Sequence, residues 1–144
     1  ALVVPSSFGN PRRVSNGVEY NRAMLLLAVL EKRGGLLLGN CDAYLNVIGG
    51  LSLDEPAADL AAMLALASSF RDKPVPSDLA AIGEVGLTGE LRAVSNLGQR
   101  LSEVRRLGFT KCLIPKRIQG KLAAPEGLEL IRVANIREAL AALL

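Results

Sequence analysis

The chain has 144 residues, 50% hydrophobic and only 3% aromatic, with 17 Lys and Arg against 14 Asp and Glu for a net charge of +3. That length fits one domain, with a core of Leu, Val, Ile and Ala and apolar surface left over for contacts with other copies. The lack of any His excludes a His-based zinc site, a Ser-His-Asp triad and a Cys-His pair.

Taken in order, Ala1 to Val4 reads as a strand stopped by Pro5, and the turn-rich segment 5–17 reads as an exposed loop carrying Arg12 and Arg13. Glu19 to Arg33 is predicted to be a helix. Its AMLLLAVL middle is apolar all round, and Gly34–Gly35 ends it. Residues 43–50 alternate and predict a strand. Asp54 is the expected cap of the next helix, Glu55 suits its positive first turn, and Pro56 fits where an N–H is not needed. That helix should run to about Phe70.

Residues 79–87 predict a glycine-bearing strand that turns at Thr88–Gly89 and returns through 90–94 as a hairpin. Asn96 to Leu107 predicts an amphipathic helix with Leu97, Leu101, Val104 and Leu107 on its buried face. KCLIP (111–115) and LELIRV (128–133) predict buried strands. Asn135, with Glu138 three residues on, marks a capping-box start for a last helix, NIREALAALL. Alternating strands and helices indicate an α/β domain with helices packed on a mixed sheet.

Cys41 and Cys112 stand in no ligand spacing, which indicates reduced, buried thiols. No signal peptide is apparent, and the longest apolar run, Ala23 to Leu30, is too short to span a bilayer, so a cytoplasmic protein without membrane contact is expected.

Two segments carry a family resemblance. DEPAAD (54–59) and GEVGLTGELRAV (83–94) resemble the proteolytic domain of Lon proteases, in which they read D-G-P-S-A-G and G-E-[VI]-T-L-x-G-x-V-L-P-I-G-G-L-K-E-K. The spacing between them matches without a gap. The resemblance implies a Lon-protease-like fold and locates a Ser–Lys dyad. The serine position falls on Ala57 and the lysine position on Gly98. Asp59 replaces the small glycine of that motif, and Arg100 takes the place of a second lysine. A guanidinium stays protonated and is a poor base, and covalent catalysis needs nucleophile and base together.

VPSSFGNPRR (4–13), YNRAMLLLAVLEKR (20–33) and residues 44–74 are also similar to the C-terminal Lon-like domain of the RadA (Sms) family of bacterial DNA repair proteins, over nearly the whole chain. That resemblance implies one proteolytically inactive Lon-like domain, residues 1–144, of a DNA-dependent ATPase that forms hexameric rings and acts in recombination and branch migration. It implies a recombinase or replicative helicase as possible partner. ATP, magnesium and zinc would bind parts of the longer family member that this sequence does not contain, since it has no G-x-x-x-x-G-K-[ST] and no C-x-x-C.

The candidate DNA contacts are Arg12 and Arg13, held outward by the Gly-Asn-Pro turn, with Arg22, Arg100, Lys116 and Arg117. Arg22 could equally pair with Glu19. Arg105, Arg106 and Lys121 read as solvated surface. Few aromatics mean that any DNA contact is with the backbone, sequence-independent and salt-sensitive. Asp59 is the candidate subunit-interface residue, through an Arg of a neighbouring copy, and no metal site is expected. Two other readings stay open: a pure oligomerisation scaffold, and a serine peptidase with a dyad relocated to Ser52, Ser68 or Ser69.

Overall fold

The computed structural model describes residues 1–7 and 9–143. Phe8 of the expected loop and Leu144 of the expected last helix lie outside the described residues. Eight strands and four α-helices are described: β1 (Leu2–Pro5), β2 (Arg13–Asn16), α1 (Tyr20–Lys32), β3 (Cys41–Asn46), α2 (Asp59–Arg71), β4 (Leu79–Ala81), β5 (Glu84–Val85), β6 (Leu91–Arg92), α3 (Leu97–Arg106), β7 (Lys111–Pro115), β8 (Glu129–Val133) and α4 (Ile136–Leu143). The α/β reading stands, with the strands distributed over three small sheets. One is mixed, β1-β3-β2, with β3 antiparallel to β1 and parallel to β2. The second, β4-β7-β8, is parallel throughout, and β5-β6 is a hairpin.

The local chemistry explains most of these elements. Glu19 caps α1, its carboxylate accepting the N–H groups of Asn21 and Arg22 at 3.0 and 2.8 Å. Gly34 follows that helix because a Cβ there would sit 2.4 Å from the Leu30 carbonyl oxygen. α2 stops at Asp72, which adopts φ 52°, a left-handed conformation that short polar side chains tolerate. At α4, Asn135 Oδ1 accepts the Glu138 N–H at 2.9 Å, and Glu138 reaches back to the Ala134 N–H rather than to that of Asn135.

Several expectations need correction. Segment 5–17 is not all loop: Arg13–Asn16 forms β2, whose parallel partner β3 lies some thirty residues on. The strand expected over 43–50 ends at Asn46, and Ile48–Gly50 forms a 3₁₀ turn in which Gly49 takes φ 85°. The strand expected over 79–87 is broken at Ile82–Gly83. There the Gly83 N–H turns to the Ala57 carbonyl at 2.9 Å, and the Gly83 carbonyl accepts the Leu60 N–H at 3.1 Å. The break ties the hairpin to the start of α2. Leu107 leaves the buried face of α3 and is 60% exposed.

Strand β7 divides the core. Leu113 points into a cluster with Leu26, Leu30, Leu60, Met63 and Ile136, whereas Cys112 and Ile114 point into a second cluster with Ala57, Leu97 and Leu101. Alternate residues of a strand face opposite sides, so both faces of β7 are covered. Each such aliphatic side chain contributes about 1.5–3 kcal/mol on burial. No helix among the described residues is long and apolar enough to cross a membrane.

Candidate functional site

The start of α2 is assembled from a 3₁₀ turn, Pro56–Ala58, that leads directly into the helix. Glu55, not Asp54, is its cap: a Glu55 carboxylate oxygen accepts the Ala57 N–H at 3.3 Å. The other oxygen pairs with Arg100 Nη2 on α3, and Arg100 Nε donates to the Ser95 carbonyl at 2.8 Å. The Arg100 hydrogen bond first, then the Ala57 N–H, hold the Glu55 carboxyl below the ordinary carboxylate range.

Ala57, Ile82, Arg100 and Val104 line a hollow of ≈ 450 Å³. Ala57 is buried at its base and carries no nucleophilic atom. Gly98, the position expected for the base, carries no side chain and is not among the residues that line this hollow. A Cβ there would meet nothing within 4 Å. The cation that reaches the hollow is Arg100, two residues further along α3. A guanidinium held by a carboxylate does not give up its proton, so Arg100 is a poor base.

Asp59 finds its partner inside the chain. Its side chain is 4% exposed and takes both Nε (3.0 Å to Oδ1) and Nη2 of Arg22, whose side chain is 32% exposed. It also accepts the Val85 N–H at 3.0 Å. The pair therefore fastens α1, α2 and β5 together. Asp59 thus has an arginine partner within the chain, and the Arg22 guanidinium turns its Nε/Nη2 edge to Asp59, while only the backbone N–H of Arg22 bonds the Glu19 carboxylate. Hydrogen bonding to Asp59 raises the Arg22 pKa further still. This clamp was legible in principle. Asp59 lies one turn before Met63 on a helix face of buried Leu60, Met63 and Ala67, and a carboxylate on a core stripe calls for a cation.

The remaining cations separate into two groups. Arg13 does not point outward: its Nη2 donates to the Leu38 carbonyl at 2.9 Å, and its buried Nη1 has no hydrogen-bond acceptor among the described residues. Arg12 is exposed, with its backbone N–H held by Asp42 Oδ1 at 2.7 Å. Lys116 and Arg117 are exposed just beyond β7. Arg105 donates to the Glu126 carbonyl at 3.1 Å, and Arg106 pairs with Glu103. The serines considered for a relocated dyad differ in setting: Ser68 donates to the Lys73 carbonyl, Ser69 accepts the Val3 N–H, and Ser52 is exposed. No group of three potential metal-ligating side chains occurs among the described residues.

A fold in which a hairpin is tied to the start of a helix at Ala57, with a second helix presenting a cation to the same hollow, places the chain among proteins built like Lon peptidase domains. The chain belongs to the family of the Lon protease (S16) C-terminal proteolytic domain, whose model matches residues 41–144. It is also similar to proteins named DNA repair protein RadA. The identity is 56% over 140 residues with that of Bacillus subtilis (strain 168), covering 97% of this chain and 31% of that protein. It is 50% over 140 residues with that of Streptococcus pneumoniae (strain ATCC BAA-255 / R6), covering 97% and 33%. It is 50% over 140 residues with that of Listeria monocytogenes serovar 1/2a, covering 97% and 31%. The chain thus spans about a third of the length of the curated relatives it matches.

Proposed function

We propose that this chain is a proteolytically inactive Lon-like domain of a RadA-type DNA-dependent ATPase, spanning residues 1–144. In this reading it helps to build a hexameric ring and holds DNA by its phosphates during recombinational repair and branch migration. The observation that carries the reading is Ala57, a residue without a nucleophile at the head of α2, in a chain similar to RadA proteins along 97% of its length. ATP, magnesium and zinc would be held by the rest of the longer protein, where a recombinase or replicative helicase would also engage.

Exposed Arg12, Lys116 and Arg117 are the phosphate contacts in this reading, while Arg13, Arg22 and Arg100 serve the fold. Exposed Leu37, Leu87 and Leu107 offer apolar surface for contacts between copies. Fluorescence anisotropy with labelled single- and double-stranded DNA across a salt series tests the DNA contact. Binding should weaken steeply with salt. Lys116→Ala/Arg117→Ala should bind more weakly, with a salt slope shallower by about 1 for each phosphate it no longer neutralises. Ring assembly without DNA binding would instead favour the pure scaffold.

A further inference from the structure

A second concavity lies on the other side of the Pro56–Ala58 turn. It is a groove of ≈ 560 Å³ between the N-terminal ends of α1 and α2, floored by Leu26 and Leu45 and walled by the alanine face of α2 at Ala61, Ala62 and Ala65. That size falls among pockets that take sizeable ligands, roughly 300–1,000 Å³. At its mouth Ile48 is 86% exposed and Leu53 41% exposed, so apolar surface continues outward from the floor.

The groove's charge is opposite to that of the chain. Its ionisable side chains are Glu19, Asp54, Glu55 and Asp59 against Arg22, with Ala1 also at the lining, in a protein of net charge +3. Arg22 is matched by Asp59, and Arg100 reaches Glu55 from the far side, which leaves Glu19 and Asp54 unmatched by a cation. Asp54 is exposed and makes no hydrogen bond or ion pair among the described residues. A polyanion is repelled from such a surface. A segment with aliphatic anchors on one side and Lys or Arg beside them fits both the apolar floor and the acidic rim.

We propose that this groove docks a short amphipathic basic segment of a partner protein. It does so independently of the DNA contact, which the basic residues elsewhere on the surface would make. The small side chains of α2 leave the depth that the partner's aliphatic anchors fill. Glu19 and Asp54 set the sign of the charges that flank them.

The test uses the 144-residue chain and two fluorescein-labelled amphipathic peptides of one pattern, Leu/Lys and Leu/Glu. Anisotropy should show binding of the Leu/Lys peptide only. Ala61→Trp, at an exposed position on the groove wall, should abolish it, and Asp54→Lys should weaken it roughly tenfold. Circular dichroism should show both variants folded, and both should keep wild-type DNA binding, so a failure here is distinct from a failure of the DNA reading. Equal binding of the two peptides, or Leu/Lys binding that survives Ala61→Trp, would overturn the proposal. So would sedimentation showing that Ala61→Trp breaks a self-association that the Leu/Lys peptide does not compete with, because a second copy would then be the occupant.

Discussion

Replacing Asp59 by alanine removes three interactions at once: both hydrogen bonds from Arg22 and the acceptor for the Val85 N–H. Breaking a buried ion pair from one side typically costs 3–5 kcal/mol, because the partner charge is left uncompensated. Arg22 is about one third exposed, so water can partly resolvate its guanidinium, and the lower end applies. The stranded Val85 N–H is part of that cost, and the total comes to about 3 kcal/mol. With a urea slope near 2 kcal/mol/M, the unfolding midpoint of Asp59→Ala should fall by about 1.5 M. Asp59→Asn, which keeps an acceptor for Val85, should lose less. Arg22→Met buries an unpaired carboxylate and should lose as much as Asp59→Ala. The double variant Arg22→Met/Asp59→Leu should be more stable than the two single losses added together, with a coupling above about 1 kcal/mol. The assay is equilibrium urea unfolding by circular dichroism. Single losses below about 1 kcal/mol that simply add would refute the clamp. An Asp59→Arg variant that unfolds like wild type but self-associates less would place Asp59 at a subunit contact instead.

Three further outcomes follow from the packing. The Glu55 carboxyl has a depressed folded pKa, so its bond to Arg100 contributes stability above the ordinary glutamate range and loses it as pH falls through the lower folded value. Unfolding midpoints measured from pH 6 down to pH 3 should therefore fall less steeply for Glu55→Gln than for wild type. Burial pushes the Cys112 thiol up to about 12, so a disulfide reagent should modify Cys41 in the native protein and Cys112 only on unfolding. Leu101 is fully buried beside Ile114, and Leu101→Ala should cost about 2–5 kcal/mol in the same urea assay.

The elements that could be read from the sequence are those whose signals are local. α1 carries an apolar block bounded by Glu19 and paired glycines, the hairpin carries Thr88–Gly89, and α4 carries Asn135 and Glu138 at capping distance. The misses are tertiary. β2 is an edge strand written in turn-forming residues, and it exists because β3 offers a parallel partner. The break at Ile82–Gly83 is made by the start of α2, which takes up the Gly83 backbone groups. Arg13 and Arg22 look like free cations in the sequence, and only folding brings them to the Leu38 carbonyl and to Asp59. The family pattern puts the serine position on Ala57 and the lysine position on Gly98, and the structure lines the hollow with Ala57 and Arg100. Side-chain direction, not sequence distance, decides which of two positions two residues apart faces a site.

The chain keeps a Lon-like domain, and the proposal to be tested is that its hollow does not break peptide bonds. The most direct test is labelling with a fluorophosphonate serine probe, beside hydrolysis of an unfolded casein substrate. Wild type should show neither labelling nor cleavage. Ala57→Ser should also remain unlabelled, because Arg100 stays protonated and paired with Glu55. Wild-type labelling that disappears in Ser52→Ala, Ser68→Ala or Ser69→Ala would contradict the account and establish a relocated catalytic serine.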